Sequence, residues 1–168
     1  MSDTATKIDP SASLIGTLSW MRDQYVKDLS FLTDEQIAMV PMGKARTALE
    51  FTSEVGAFNK MAAQVVRGDQ PVVPSSEERK AFYRSIDTRE KAVALVQEGT
   101  DALIEALKAA DDASLVRPVT APWGEETTAF ELANMAAGNM MYHAGQVNYI
   151  QSLFGDAVLH WRDSRASR

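Results

Sequence analysis

The strongest constraint on this chain is a long apolar helix near its C-terminus whose hydrophobic face is broken by polar side chains. Thr128-Ala-Phe-Glu131 has the capping-box form, a hydroxyl followed three residues later by a carboxylate, and Gly155 supplies the stop. Between them, steps of three or four place Leu132, Met135, Asn139, His143, Gln146, Ile150 and Leu153 on one face. Asn139, His143 and Gln146 interrupt the stripe that should pack into the core. A buried polar group without a partner costs roughly 1–3 kcal/mol. This face therefore carries either a structural polar network or a site.

Similar signals divide the rest of the chain. Asp9-Pro10 opens a first helix with its stripe at Leu14, Leu18, Met21, Tyr25, Leu29 and Leu32. Thr33-Asp-Glu-Gln36 starts a short helical turn before Pro41. Thr47-Ala-Leu-Glu50 opens a second helix through Phe51, Val55, Phe58, Ala62 and Val65, ending near Gly68. Residues 69–86 form a connector with a helical segment around Glu77 to Tyr83, and Asp87-Thr-Arg-Glu90 caps a third helix. An irregular section with Pro118, Pro122, Trp123 and Gly124 leads to the fourth. No strand alternation is sustained. The expected fold is all-α, a four-helix bundle with long connectors, in a single domain over residues 1–168 with its core at 10–156 and a tail at 157–168. The link between the second and third helices is far longer than a hairpin needs, so it can traverse the bundle and leave those helices parallel. That gives up-down-down-up.

Composition removes several function classes. Seventeen Lys and Arg against 23 Asp and Glu give a net charge of −6, a poor match to nucleic acid or an anionic membrane. The absence of cysteine excludes disulfides, thiolate ligands and a cysteine nucleophile. Residues 1–10 lack the apolar run of a signal peptide, and no stretch is apolar for long enough to span a bilayer, so a cytoplasmic protein is expected. There is no phosphate-cradling glycine loop, nucleophile elbow or His-Glu-x-x-His helix.

The segment His143-Ala-Gly-Gln146, continued through Val147-Asn148-Tyr149 to Gly155-Asp156, resembles the last helix of the DinB-like superfamily. The helix order suits that family over residues 10–156. The resemblance implies a four-helix bundle with a divalent metal held by three histidines, one on the second helix and two in a His-x-x-x-His-x-Gly-Gln motif on the fourth. It also implies a homodimer and thiol-dependent transferase or isomerase chemistry, in which the metal lowers the pKa of a small thiol. At the ligand positions this chain has Glu54, which follows Thr47 and Glu50, then Asn139, and His143. One histidine of the three remains.

Two readings of Glu54, Asn139 and His143 stand. In the first they hold a divalent metal, zinc or nickel, for a metal-dependent thiol transferase or hydrolase; glutamate and histidine are zinc ligands, whereas a neutral amide suits calcium better. In the second they form a metal-free network, with Glu54 accepting from His143 and Asn139 filling the remaining valences, on a non-enzymatic scaffold that still has room for a small molecule. In antiparallel second and fourth helices, Glu54 about 10 Å into one and His143 about 16 Å from the end of the other lie at similar depth. Gln146 and Tyr142 are supporting residues, the first bonding between helices. Gly145 is expected to permit close helix approach, and Met39, Met42, Met135, Met140 and Met141 to fill core gaps. Tyr142 and Tyr149 are read as core or interface packing. His160 and Trp161 are assigned to the surface or a dimer contact.

Overall fold

The computed structural model describes residues 9–162. Four long helices form the body: α1 (Pro10–Leu29), α3 (Ala48–Arg67), α5 (Arg89–Ala109) and α7 (Ala129–Leu153). Shorter helices α2 (Asp34–Ala38), α4 (Ser76–Ser85) and α6 (Asp112–Leu115) lie in the connectors. Each long helix starts where a side chain accepts from its first turn. Asp9 caps α1, Thr47 and Thr128 close capping boxes with Glu50 and Glu131, and α5 is capped by Thr88. Gly68 ends α3 in the left-handed region at φ 115°, where a side chain would strain the backbone.

Cross-helix contacts fix the directions. The Arg89 guanidinium at the start of α5 donates to the Leu29 carbonyl at the end of α1, 3.1 Å away, so these two are antiparallel. Gln151 near the end of α7 donates to the Asp28 carbonyl at 2.6 Å, which brings the C-terminal ends of α1 and α7 together. Asn59 on α3 donates to Thr100 on α5 at 2.9 Å, and Gly56 lies against Leu95 one turn earlier on both helices, so this pair is parallel. Glu54 meets His143 while Val65 packs with Ala129 and Leu132, so α3 and α7 are antiparallel. The order is up-down-down-up, as the connector lengths predict.

The seam of α7 is rotated from the expected face. It buries Leu132, Ala133, Ala136, Met140, Ala144, Val147 and Ile150, leaving Met135 and Leu153 exposed. Small alanines form the contact line, and these carry little weight in a hydrophobic reading. Of the five methionines read as packing only Met140 is buried; Met39, Met42, Met135 and Met141 are exposed. Tyr142 and Tyr149, read as core or interface packing, are exposed and so lie outside the core.

Three further corrections concern local structure. The section before α7 contains a small antiparallel hairpin, β1 (Pro118–Thr120) with β2 (Glu126–Thr128). His160, assigned to the surface or a dimer contact, is buried within the chain and stacks on Phe31 with ring centroids 3.5 Å apart. Beside it Trp161 Nε1 donates to Asp28 Oδ2 at 2.5 Å, and the Trp161 ring sits edge-on to Trp20. The physical reason is Asp28: its carboxylate is buried, burial raises its pKa, and donors from Asn148 and Trp161 oppose that rise. Part of the expected tail thus closes the bundle as a 3-10 turn (His160–Arg162). Residues 163–168, expected to fray, lie outside the described residues.

The third correction is Gly145, which faces open space. Close approach occurs between α3 and α5 instead. A Cβ on Gly56 would lie 2.6 Å from Leu95 Cγ and 2.7 Å from its carbonyl carbon, and one on Gly99 would lie 2.5 Å from the Gly56 carbonyl oxygen. Gly99→Ala should therefore destabilise by about 1–3 kcal/mol, because overpacking against backbone outweighs the helix-propensity gain. Gly145→Ala should be neutral or stabilising by up to about 1 kcal/mol. Chemical denaturation of the two variants checks this, and equal effects would contradict the packing.

Candidate functional site

The capping box at Thr47 sets the register of α3. Thr47 accepts from the Glu50 amide at 3.0 Å, and the Glu50 carboxylate accepts from the Thr47 amide at 2.8 Å. One turn on, Glu54 projects towards α7 and meets His143, whose Nε2 lies 3.2 Å from Glu54 Oε1. The two residues face the same interior space, as their depths on antiparallel helices require. His143 is only 3% exposed and stacks on Phe51 with ring centroids 5.3 Å apart. Its Nδ1 is 2.6 Å from Gln146 Oε1, and the Gln146 amide nitrogen donates to the Tyr142 hydroxyl at 3.4 Å. Gln146 thus works within its own helix, orienting the imidazole, rather than between helices as expected.

Arg46, in the loop just ahead of α3, was not anticipated. Its guanidinium lies 2.7 Å from Glu54 Oε2. Both carboxylate oxygens are therefore engaged, one by His143 and one by Arg46. The His143 hydrogen bond and the Arg46 charge together outweigh burial and hold the Glu54 carboxyl at about 2 rather than its usual 4.5. No spacing rule singles out Arg46. The only signal is a basic residue directly before a capped helix.

Asn139 does not join this network. Its Oδ1 is buried and has no hydrogen-bond partner, and its side chain borders a cleft beside Glu54. The valences assigned to it are filled by Arg46, which approaches the carboxylate from the loop side. The cleft has a volume of about 830 Å³ and is walled by α3, α4 and the β1–β2 loop, with Phe58, Tyr83 and Trp123 as its aromatic surfaces. A smaller hollow of about 440 Å³ opens on the opposite side of the Arg46–Glu54–His143 trio, against Phe51 and Tyr149.

The donor set does not fit the metal that the resemblance implies. A cation at Glu54 would compete with a guanidinium already 2.7 Å from one carboxylate oxygen. The third donor is a neutral amide, and zinc or nickel takes imidazole, thiolate or carboxylate. Among the described residues no group of three His, Cys, Asp or Glu side chains converges to hold an ion. No helix there is long and apolar enough to cross a membrane.

The sequence matches the DinB superfamily over residues 17–147. The chain belongs to that superfamily. No match is found among curated proteins. Two solved structures of the mycothiol-dependent maleylpyruvate isomerase, one of them a mutant, share the fold at TM-scores of 0.67 and 0.69 with 14% and 13% identity. The match covers 83% of this chain but 61% of the isomerase, so the chain spans less than two thirds of that protein. A DinB-like protein of Bacillus subtilis, YjoA, matches at TM-score 0.64 and 13% identity, covering 85% of this chain and 92% of the other. At these identities the likeness concerns fold alone.

The depressed Glu54 carboxyl makes stability depend on pH. A carboxylate whose folded pKa lies below its unfolded value contributes stability above the unfolded pKa and loses it as pH falls through the folded one. The contribution of Glu54 is thus complete above pH 4.5 and fades towards pH 2. The side chain is 32% exposed, so solvent screening limits the effect to about 1–2 kcal/mol. Wild type should exceed Glu54→Gln by that amount at neutral pH, with the gap closing on acidification. Denaturation of both proteins across that range checks it, and a gap that widens in acid would contradict the assignment.

Proposed function

We propose that this chain is a small-molecule-binding member of the DinB superfamily whose intra-bundle site is a metal-free charge network. One observation carries this reading. Glu54 is saturated by Arg46 and His143, while Asn139, at a position the family gives to a ligand, turns a buried, unpartnered oxygen beside an open cleft. That oxygen is closed off from solvent, so a donor on a ligand in the cleft reaches it once the Asn139 side chain turns, which gives the acceptor the partner it lacks. The cleft volume of about 830 Å³ lies within the usual range for small-molecule sites, and Phe58 and Trp123, with near-parallel rings, offer a flat apolar wall. The bound molecule accordingly carries an N–H or O–H donor for Asn139 and an apolar part for that wall. A homodimer and a cytoplasmic location belong to the same proposal. Exposed Leu153, Phe154, Val158 and Leu159, away from the cleft, support the first.

A second reading, metal-dependent thiol transfer or isomerisation as the name of the mycothiol-dependent neighbour suggests, has one observation in its favour. In a neutral ring that gives its Nδ1 proton to Gln146 Oε1, Nε2 faces Glu54 with a lone pair rather than a proton, the arrangement that an outer hydrogen-bond acceptor gives to a metal-ligating histidine. It requires Arg46 to leave Glu54.

Metal linkage separates the two. Under the metal-free reading a chelator leaves the melting temperature of native, untagged protein unchanged, because only a ligand bound to the folded state stabilises it. The double variant Glu54→His, Asn139→His should then gain zinc or nickel binding and a chelator-sensitive melting temperature. Stoichiometric metal in the wild type, lost together with stability on chelation, would establish the second reading instead.

A further inference from the structure

The smaller hollow differs from the cleft in its charged lining: Glu50 and Glu54 line the cleft beside Arg46, Arg79 and Lys80, whereas the hollow has cations only. Lys44 and Arg46 line it, with the Tyr142 and Tyr149 side chains and the Gln146 amide, over a floor that includes Phe51. None of the described residues that line it carries a carboxylate, in a chain whose net charge is −6. The two cations have different commitments. Arg46 is offset by Glu54 through one of its nitrogens, leaving further guanidinium N–H donors available. Lys44 makes no ion pair among the described residues, and Gly43, at φ 56°, turns the loop just before it. The hollow therefore carries one uncompensated positive charge, directional donors from Arg46, and an aromatic wall.

We infer that this hollow is an anion subsite for a small molecule bearing a single carboxylate and a flat apolar body. The carboxylate pairs with Lys44 and takes donors from Arg46, and the body lies along Phe51 and Tyr149. One net charge matches a carboxylate; a phosphate monoester would bring a second charge with no counterpart. The volume of about 440 Å³ accommodates a one-ring acid but not a large ligand. The inference does not rest on the reading of the cleft, since the linings of the two spaces have only Arg46 in common.

Benzoate is the probe, benzamide its uncharged counterpart of the same shape, and an NMR titration the measurement. Benzoate should shift Tyr149 and His143 resonances and bind at least tenfold more tightly than benzamide. Lys44→Glu, on an exposed loop, should weaken benzoate at least tenfold while leaving the melting temperature unchanged. Asn139→Leu, on the cleft side, should leave benzoate affinity as it is. Equal affinities for benzoate and benzamide, undiminished binding in Lys44→Glu, or no benzoate binding at all would each overturn the proposal. Loss of benzoate binding in Asn139→Leu but not in Lys44→Glu would put the anion in the larger cleft and overturn it equally.

Discussion

The Glu54 carboxylate is the point on which the centre of this bundle turns. It sits on α3 facing α7, where a lone negative charge would be expensive to desolvate. Its two oxygens are engaged from opposite directions, Oε1 by His143 of α7 and Oε2 by Arg46 of the preceding loop. That arrangement ties three segments together at one level of the bundle. It also gives the loop from residue 39 to 47, which has no regular structure at its end, an attachment beyond its backbone. Because the carboxylate is shared between a buried imidazole and a half-exposed guanidinium, the trio forms a partition, and space opens on both sides of it.

Elsewhere the bundle treats buried polar groups in a uniform way. Thr52 and Thr100 each return a hydroxyl proton to a carbonyl one turn back and meet a partner on another helix, Tyr25 in one case and Asn59 in the other. Asp28 is met by Asn148 and Trp161. Among the described residues, the buried side-chain atoms without a partner are a short set of acceptors: Gln24 Oε1, Asp28 Oδ1, Asn59 Oδ1 and Asn139 Oδ1. The first three lie in packed seams between helices. Asn139 alone of the four borders the large cleft, which is why the proposed function draws on it and not on the others.

Helix starts were the most legible part of the sequence, because a capping residue acts on its own next few amides and needs no tertiary context. Thr33, Thr47 and Thr128 all cap as their local sequences indicate, and the connector lengths gave the helix order. What stayed hidden depends on which neighbours arrive. The seam of α7 runs along alanines, so a face chosen by large apolar residues is rotated from the true one. The Gly56–Gly99 contact exists only once α3 and α5 lie parallel, and nothing within either helix distinguishes those glycines from Gly145. Likewise His160 is buried through contacts with residues distant in sequence, its ring stacked on Phe31 and its carbonyl accepting from Lys27.

The site followed the same division. Pairing of Glu54 with His143 could be anticipated, since it requires only two helices in the right order at the right depth. The pairing of Glu54 with Arg46 in the place expected for Asn139 could not, because Arg46 is a loop residue with no periodicity to place it. This has a chemical consequence within the superfamily's framework. Replacing a neutral imidazole by a carboxylate at position 54 adds a negative charge to the interior, and a fixed cation compensates it as well as a bound ion would. Arg46 is such a cation, and it is always charged. Once the guanidinium is in place the electrostatic demand for a metal falls. The amide at position 139, a poor transition-metal donor, then stands beside the cleft with its oxygen unpartnered, the feature on which the proposed binding function rests.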